Sequence, residues 1–143
     1  MNQRVSSLWS LLSRKLMLTT LTLLLGACED ASAAKDPVWG KQPCKHCAMV
    51  VSEPRAAAQM TTPQGDRYYF DDPGCMAAYL EEHSARASWV RDDDGHWIDA
   101  SAARFQSGAR TPMDYGFLPT SAGNASWADV QAAARERERP KSP

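Results

Sequence analysis

The sequence predicts an α+β fold of modest size, because segments with a strand-hairpin pattern alternate with segments that suit helices. A hairpin is expected over residues 56–70, with a helix directly after it. A second hairpin is expected over residues 88–98, and another helix close to the C-terminus. The chain has 143 residues, which is enough for one modest domain or two small lobes.

The N-terminal segment has the pattern of a lipoprotein export signal. Basic residues at positions 4, 14 and 15 precede an uncharged apolar run over 16–25, as in a signal peptide. The run is too short to span a bilayer, which takes roughly 20 helical residues. It ends in Leu25-Gly26-Ala27-Cys28, which resembles a bacterial lipobox. We expect removal of residues 1–27 and acylation of Cys28, which would anchor the chain to a bacterial membrane on the periplasmic side. An uncleaved anchor helix is the alternative.

The residues after the signal predict a flexible linker over 28–43, because they are small and polar and include Pro37, Gly40 and Pro43. The charges of the whole chain are nearly balanced, with 16 basic and 17 acidic side chains. No basic patch stands out, and the aromatic residues are scattered rather than interleaved with Lys or Arg. Nucleic-acid binding therefore has little support.

The first hairpin is expected to turn at Pro63-Gln64-Gly65-Asp66, and the helix after it has a clear start. Asp72 suits an N-cap and Pro73 the first helical position, and the apolar spacing extends the helix to about His83. Cys75 falls in the first turn. Backbone N–H groups and the helix dipole there favour a thiolate, so we expect Cys75 to be a better ligand than an average cysteine.

The second hairpin is predicted from two short apolar segments around Asp92-Asp93-Asp94-Gly95. A calcium loop would need an acidic residue near position 103, which is Ala103, so a solvated turn is expected. Pro112 and Gly116 predict a loop around Met113. Ser126 and Asp129 form a capping pair for a helix from Trp127 to about Arg139.

The segment Cys44-Lys45-His46-Cys47-Ala48-Met49 brings soft donors together. Thiolate and thioether sulfurs select Cu(I), or Zn²⁺ where thiolates dominate, and Met49 favours copper. Cys47 and Met49 are two residues apart and would share one face of an extended segment. With Cys28 acylated, Cys44, Cys47 and Cys75 remain, an odd number that cannot be fully paired within the chain. A Cys44–Cys47 disulfide is the alternative resting state.

Four separated motifs carry a family resemblance: Cys47-Ala48-Met49-Val50-Val51, Tyr68-Tyr69-Phe70-Asp71-Asp72-Pro73-Gly74-Cys75, Trp97-Ile98-Asp99-Ala100 and Thr111-Pro112-Met113. In this order they resemble the NosL family, lipoproteins that act as copper chaperones for nitrous-oxide reductase. The resemblance runs from about Cys44 to about Leu118. The first half also resembles the small metal-binding modules called YHS or TRASH, with Asp71 standing where those modules often place a cysteine.

The resemblance implies a fold of two ββαβ-type lobes. Their bounds would be 44–87 and 88–120, followed by a linker and C-terminal helix over 121–143. It implies Cu(I) as the bound ion and no enzymatic activity. The implied partners are apo nitrous-oxide reductase and the membrane transporter of its maturation system. By motif position the ligands would be Cys47, Met49 and Met113, with Cys44 and Cys75 as additional thiols. His46 could add an imidazole, and Asp71 could orient a ligand.

Two alternatives belong to other classes of protein. The first is a binding module stapled by zinc or by a disulfide, since a segment as short as Cys44 to His83 would gain stability from an ion. The second is a thiol-disulfide oxidoreductase that uses Cys44 and Cys47. The context disfavours this enzyme, because Val50, Val51 and Pro54 indicate a strand and a break where the thioredoxin motif would open a helix.

Overall fold

The computed structural model describes residues 30–140, and the predicted signal peptide and Cys28 lie outside them. The predicted α+β class is confirmed, since the described residues form two antiparallel sheets and two helices. The described residues from Ala31 onward belong to one compact unit. Among the residues described, no helix is long and apolar enough to cross a membrane.

The larger sheet has four strands: β1 (Ala58–Thr61), β2 (Arg67–Phe70), β3 (Ala87–Arg91) and β4 (Trp97–Asp99). Their order is β2-β1-β3-β4, and every neighbouring pair is antiparallel. Both predicted hairpins are therefore present, and the strands of the second hairpin extend the sheet of the first. A short 3₁₀ helix at Pro54–Ala56 precedes β1. The central strand β1 is buried along its whole length.

Helix α1 (Pro73–Tyr79) starts where the sequence predicts. The Asp72 side chain accepts a hydrogen bond from the Gly74 N–H, and Pro73 occupies the first turn, where its missing N–H costs nothing. The helix ends at Tyr79, about one turn before the predicted end at His83. Backbone bonds from Glu81 to Ala78 and from Glu82 to Tyr79 tighten the chain into turns there.

The smaller sheet contains β5 (Arg104–Ser107), β6 (Phe117–Pro119) and β7 (Ala125–Ser126) in the order β6-β5-β7. Helix α2 (Trp127–Glu138) follows β7 directly and begins with the predicted capping box of Ser126 and Asp129. It packs against α1. Its buried face includes Trp127, whose ring centroid lies 6.0 Å from that of Phe105.

The segment predicted as a flexible linker lies along the larger sheet from Ala31 onward. The Gln59 side chain accepts a bond from the Lys35 N–H at 3.0 Å and donates one to the Lys35 carbonyl at 2.9 Å. The Thr61 hydroxyl donates to the Ala31 carbonyl at 3.0 Å. Gln59 and Thr61 are fully buried on β1, where polar side chains need partners. The packed segment supplies them, which composition alone did not indicate.

Candidate metal centre

The loop from Cys44 to Met49 is closed by backbone hydrogen bonds. The Cys44 N–H donates to the Met49 carbonyl at 2.7 Å, and the Ala48 N–H donates to the Cys44 carbonyl at 3.0 Å. Closing the loop puts Ala48 at a φ of 64°, in the left-handed region. This conformation costs a non-glycine residue about 1 kcal/mol or more, and it persists where surrounding contacts determine it. The loop thus holds Cys44 and Cys47 in a set arrangement.

Three structural elements from two stretches of the chain bring metal-ligating atoms together. Ligand atoms of Cys44, Cys47, Asp71 and Cys75 all lie within 4.8 Å of one another, and this set is named the cysteine cluster below. Asp71 follows the end of β2, and Cys75 lies in the first turn of α1. Cys47 is half-buried and its thiol donates to Asp71 Oδ1 at 3.3 Å, while the other three members are buried. All three cysteines are free thiols.

The three thiols differ in their pKa values. The Cys75 thiol donates a hydrogen bond to the Cys44 sulfur, and this bond lowers the pKa of Cys44 to about 7. Backbone N–H groups of Cys47 and Asp71 act on Cys44 in the same direction. Burial raises the pKa of Cys47 to about 12. The hydrogen bond to Cys44 and then burial raise the pKa of Cys75 far above its ordinary value.

This proton distribution corrects one expectation from the sequence. The position of Cys75 in the first turn of α1 predicted that it would favour the thiolate. The lowered pKa instead belongs to Cys44, because the Cys75 thiol donates its hydrogen bond to the Cys44 sulfur and is itself buried, and both effects raise the pKa of Cys75. Further deprotonation would crowd negative charge beside Asp71. A bound cation would offset that repulsion, so the arrangement suits a metal ion.

Asp72 joins the start of α1 to the loop that carries Met113. Its buried carboxylate accepts bonds from the Gly74 N–H at 2.8 Å, the Thr111 hydroxyl at 2.5 Å and the Met113 N–H at 3.1 Å. Burial raises the pKa of Asp72, and the three donors oppose that rise. The sequence identified Asp72 as an N-cap. Asp72 also joins two stretches that are about 40 residues apart, and no local sequence pattern indicated this second role.

Tyr115 covers the helix start beside the cysteine cluster. A Cβ atom added to Gly74 would lie 2.0 Å from Tyr115 Cγ, so only glycine leaves room for the ring next to Cys75. The Tyr115 hydroxyl donates to Glu138 Oε1 at 2.7 Å, at the end of α2. Burial and the Glu138 carboxylate raise the pKa of Tyr115 above its ordinary value. Sequence reasoning assigned no role to Gly74 or Tyr115.

The remaining predicted ligands are Met113, Met49 and His46. Met113 is half-buried, packs against the core, and is bonded through its N–H to Asp72. Met49 follows Cys47 by two residues, and its side chain is 56% exposed. His46 Nε2 lies 3.7 Å from Glu138 Oε1. The participation of these three side chains in metal binding stays a prediction.

A second group of metal-capable side chains lies in the turn between β3 and β4. Ligand atoms of Asp92, Asp94 and His96 lie within 4.8 Å of one another. Asp92 Oδ1 accepts a bond from the His96 N–H at 2.7 Å, an ordinary contact of a tight turn. Asp94 and His96 are exposed. This group, named the turn group below, matches the solvated turn expected from the sequence.

No protein-family model matches the chain, and no curated protein matches it. Among solved structures, the chain is similar to the crystal structure of the copper chaperone NosL from Shewanella denitrificans. The sequence identity is 18%, and the alignment covers 73% of this chain and 87% of that chain with a TM-score of 0.49. A likeness of this degree does not decide what the cysteine cluster binds. That question rests on the donor atoms themselves.

Proposed function

We propose that this protein binds Cu(I) at the cysteine cluster and carries it to a copper enzyme. The observation that carries the proposal is the convergence of Cys44, Cys47 and Cys75, from two distant stretches of the chain, with Asp71 inside one 4.8 Å set. Three sulfurs suit Cu(I), which is a soft ion and accepts two or three thiolate or thioether donors. Hydrogen bonds from the Cys75 thiol and from backbone N–H groups lower the pKa of Cys44 to about 7, which favours one thiolate ligand, and a bound cation would draw the protons from Cys47 and Cys75.

The accessibility of the sulfurs supports a carrier rather than a permanent store. Cys44 and Cys75 are buried, while Cys47 is only half-buried and is followed closely by the exposed Met49. An incoming ligand from another protein would therefore meet Cys47 and Met49 first. Ligand exchange could begin there while the buried thiols still hold the ion. We propose Met49 and Met113 as the further sulfur ligands that complete the site during transfer.

The recipient and the location are proposals from the sequence motifs. The resemblance to the NosL family supports delivery to apo nitrous-oxide reductase, together with a membrane transporter of the same maturation system. The lipobox-like Leu25-Gly26-Ala27-Cys28 supports a lipid anchor on the periplasmic side of a bacterial membrane. Anchoring would raise the local concentration of the carrier near membrane partners.

A thiol-disulfide oxidoreductase receives less support from the cluster. Such an enzyme attacks its substrate with an accessible thiolate. Here the thiol with the lowered pKa, Cys44, is 3% exposed. The more accessible Cys47 has a pKa raised to about 12, so it is protonated at neutral pH. The cysteine that is accessible is therefore not the one that ionises most easily. This arrangement favours metal binding over disulfide exchange.

A structural zinc site is the second candidate, and the position of Asp71 favours it. Three thiolates and one carboxylate are four donors, the number that tetrahedral zinc takes. In that case the ion would hold the Cys44 loop, β2 and α1 together and would not be passed on. A zinc-stapled domain would unfold when stripped of its ion, whereas a carrier would stay folded and exchange its ion.

The test is an anaerobic titration of the reduced chain lacking residues 1–28 with Cu(I), in competition with a chromogenic chelator. The same chain is titrated with Zn²⁺, and Cys47→Ser and Met113→Ala are measured beside it. We expect preference for Cu(I), near-total loss of Cu(I) binding in Cys47→Ser and partial loss in Met113→Ala. Circular dichroism before and after chelation reports whether the metal-free chain stays folded. Tighter binding of zinc together with unfolding on chelation would establish the structural site instead.

A further inference from the structure

The loop that carries Met113 is held from two opposite sides. The N–H of Met113 donates a hydrogen bond to the buried carboxylate of Asp72. The carbonyl of Met113 accepts a hydrogen bond from Arg137 Nη1 at 2.5 Å. Arg137 belongs to the last turn of α2 and is exposed. The backbone of Met113 is thus fixed by one interior contact and one surface contact.

The same turn of α2 makes two further contacts around the cysteine cluster. The Arg137 guanidinium lies 4.4 Å from the centroid of the Tyr115 ring. Glu138 accepts the bond from the Tyr115 hydroxyl and lies 3.7 Å from His46 in the cysteine loop. Arg137 and Glu138 therefore touch both the loop of Met113 and the loop of Cys47. These two residues are named the C-terminal latch.

The interior and surface contacts differ in how easily they open. The Asp72 contacts are buried, and breaking them would leave unpaired donors and acceptors away from water. The bond from Arg137 to the Met113 carbonyl is exposed, and the bond from Tyr115 to Glu138 is only part-buried. Water reaches these contacts more easily than those of Asp72, so they contribute less and open more often. Motion of the loop of Met113 should therefore begin on the side of the latch.

We propose that Arg137 and Glu138 are positioning residues that set how fast the loop of Met113 opens over the cysteine cluster. The proposal rests on the proposed function, because an open loop matters here as the route by which a metal ion leaves. The latch contacts involve no member of the cysteine cluster. Weakening them speeds both entry and release, and it leaves the equilibrium affinity nearly unchanged.

The test compares Arg137→Ala with Arg139→Ala, which removes the same charge two residues along. Arg139 pairs with Glu136 on its own helix and makes an exposed contact only. The first measurement is hydrogen–deuterium exchange of the metal-free, reduced chain lacking residues 1–28. We expect peptides covering residues 111–116 to exchange roughly three- to tenfold faster in Arg137→Ala, and at the unaltered rate in Arg139→Ala.

The second measurement is the rate of Cu(I) transfer to a chelator in excess, beside the equilibrium affinity. Arg137→Ala should transfer roughly three- to tenfold faster with an affinity within about twofold of the unaltered chain. Equal exchange rates over residues 111–116 in Arg137→Ala and Arg139→Ala would overturn the proposal, whatever the Cu(I) measurements give. If the unaltered chain binds no Cu(I), the proposed function fails, and the hydrogen-exchange arm still decides whether the latch exists.

Discussion

The cysteine cluster and the turn group both gather metal-capable side chains within the same distance, yet they are built in different ways. The members of the turn group come from one stretch of five residues, and their spacing follows from the turn itself. The members of the cysteine cluster come from a closed loop, a strand end and a helix start. Only the cysteine cluster is largely buried, with Cys44, Asp71 and Cys75 inside the protein.

Because only the cysteine cluster is largely buried, the two groups differ in how their charges are stabilised. In the turn group, water solvates each charge and no ion is required to hold the arrangement. In the cysteine cluster, the thiols can shed their protons only where a cation or a hydrogen bond offsets the charge, as the raised pKa of Cys47 indicates. Proximity of potential ligands is common on a surface. The informative case is proximity together with desolvation.

The sharpest test of this comparison is removal of one ligand from each group. Cys75→Ser keeps the size of a buried side chain but replaces a soft sulfur by a hard oxygen. We expect Cu(I) affinity to fall by two orders of magnitude or more, measured by competition with a chelator under anaerobic conditions. His96→Ala removes the imidazole of the turn group and should leave Cu(I) affinity unchanged. Equal losses in the two variants would contradict the assignment of the ion to the cysteine cluster.

The second test uses pH, since Cu(I) must displace the protons of the thiols it binds. Between about pH 7 and pH 9, Cys44 is already ionised, and Cys47 and Cys75 must each release a proton. Affinity should then rise about hundredfold per pH unit. Below about pH 7, Cys44 is also protonated, so a third proton must leave and the dependence becomes steeper as pH falls.

The measurement is the Cu(I) affinity at half-unit steps from pH 5.5 to 8.5, corrected for the protonation of the chelator. In Cys44→Ser the change of slope near pH 7 should vanish, because the thiol with the lowered pKa is gone. Binding to carboxylates alone would displace no thiol protons, so it would lack this steep dependence. A flat profile for the unaltered chain would therefore exclude a site made of three thiolates.

The same contrast between local and distant contacts separates what the sequence predicted from what it did not. Both hairpins, the N-cap at Asp72 and the capping box at Ser126 depend on neighbouring residues, and the structure has all of them. The packing of the linker against Gln59 involves residues 24 apart, and the bond from Thr111 to Asp72 involves residues 39 apart. Spacing indicated which cysteines could bind a metal. The motif resemblance also pointed to Asp71, but spacing alone could not place its carboxylate beside the thiols, because that depends on how β2 meets the Cys44 loop.

The last test concerns the stability of the fold and two aspartates, one beside each group. Asp72→Ala removes an acceptor that serves three donors inside the protein, and the Gly74 and Met113 N–H groups would be left without it. We expect the free energy of unfolding of the metal-free chain to fall by roughly 2–4 kcal/mol, measured by urea titration. Asp93→Ala removes an exposed carboxylate that accepts a bond from the Thr120 hydroxyl at the surface, where water can take its place. It should leave the unfolding midpoint unchanged. A similar loss in both variants would mean that burial does not separate the two regions, and the contacts of Asp72 could then not hold the loop of Met113 against α1.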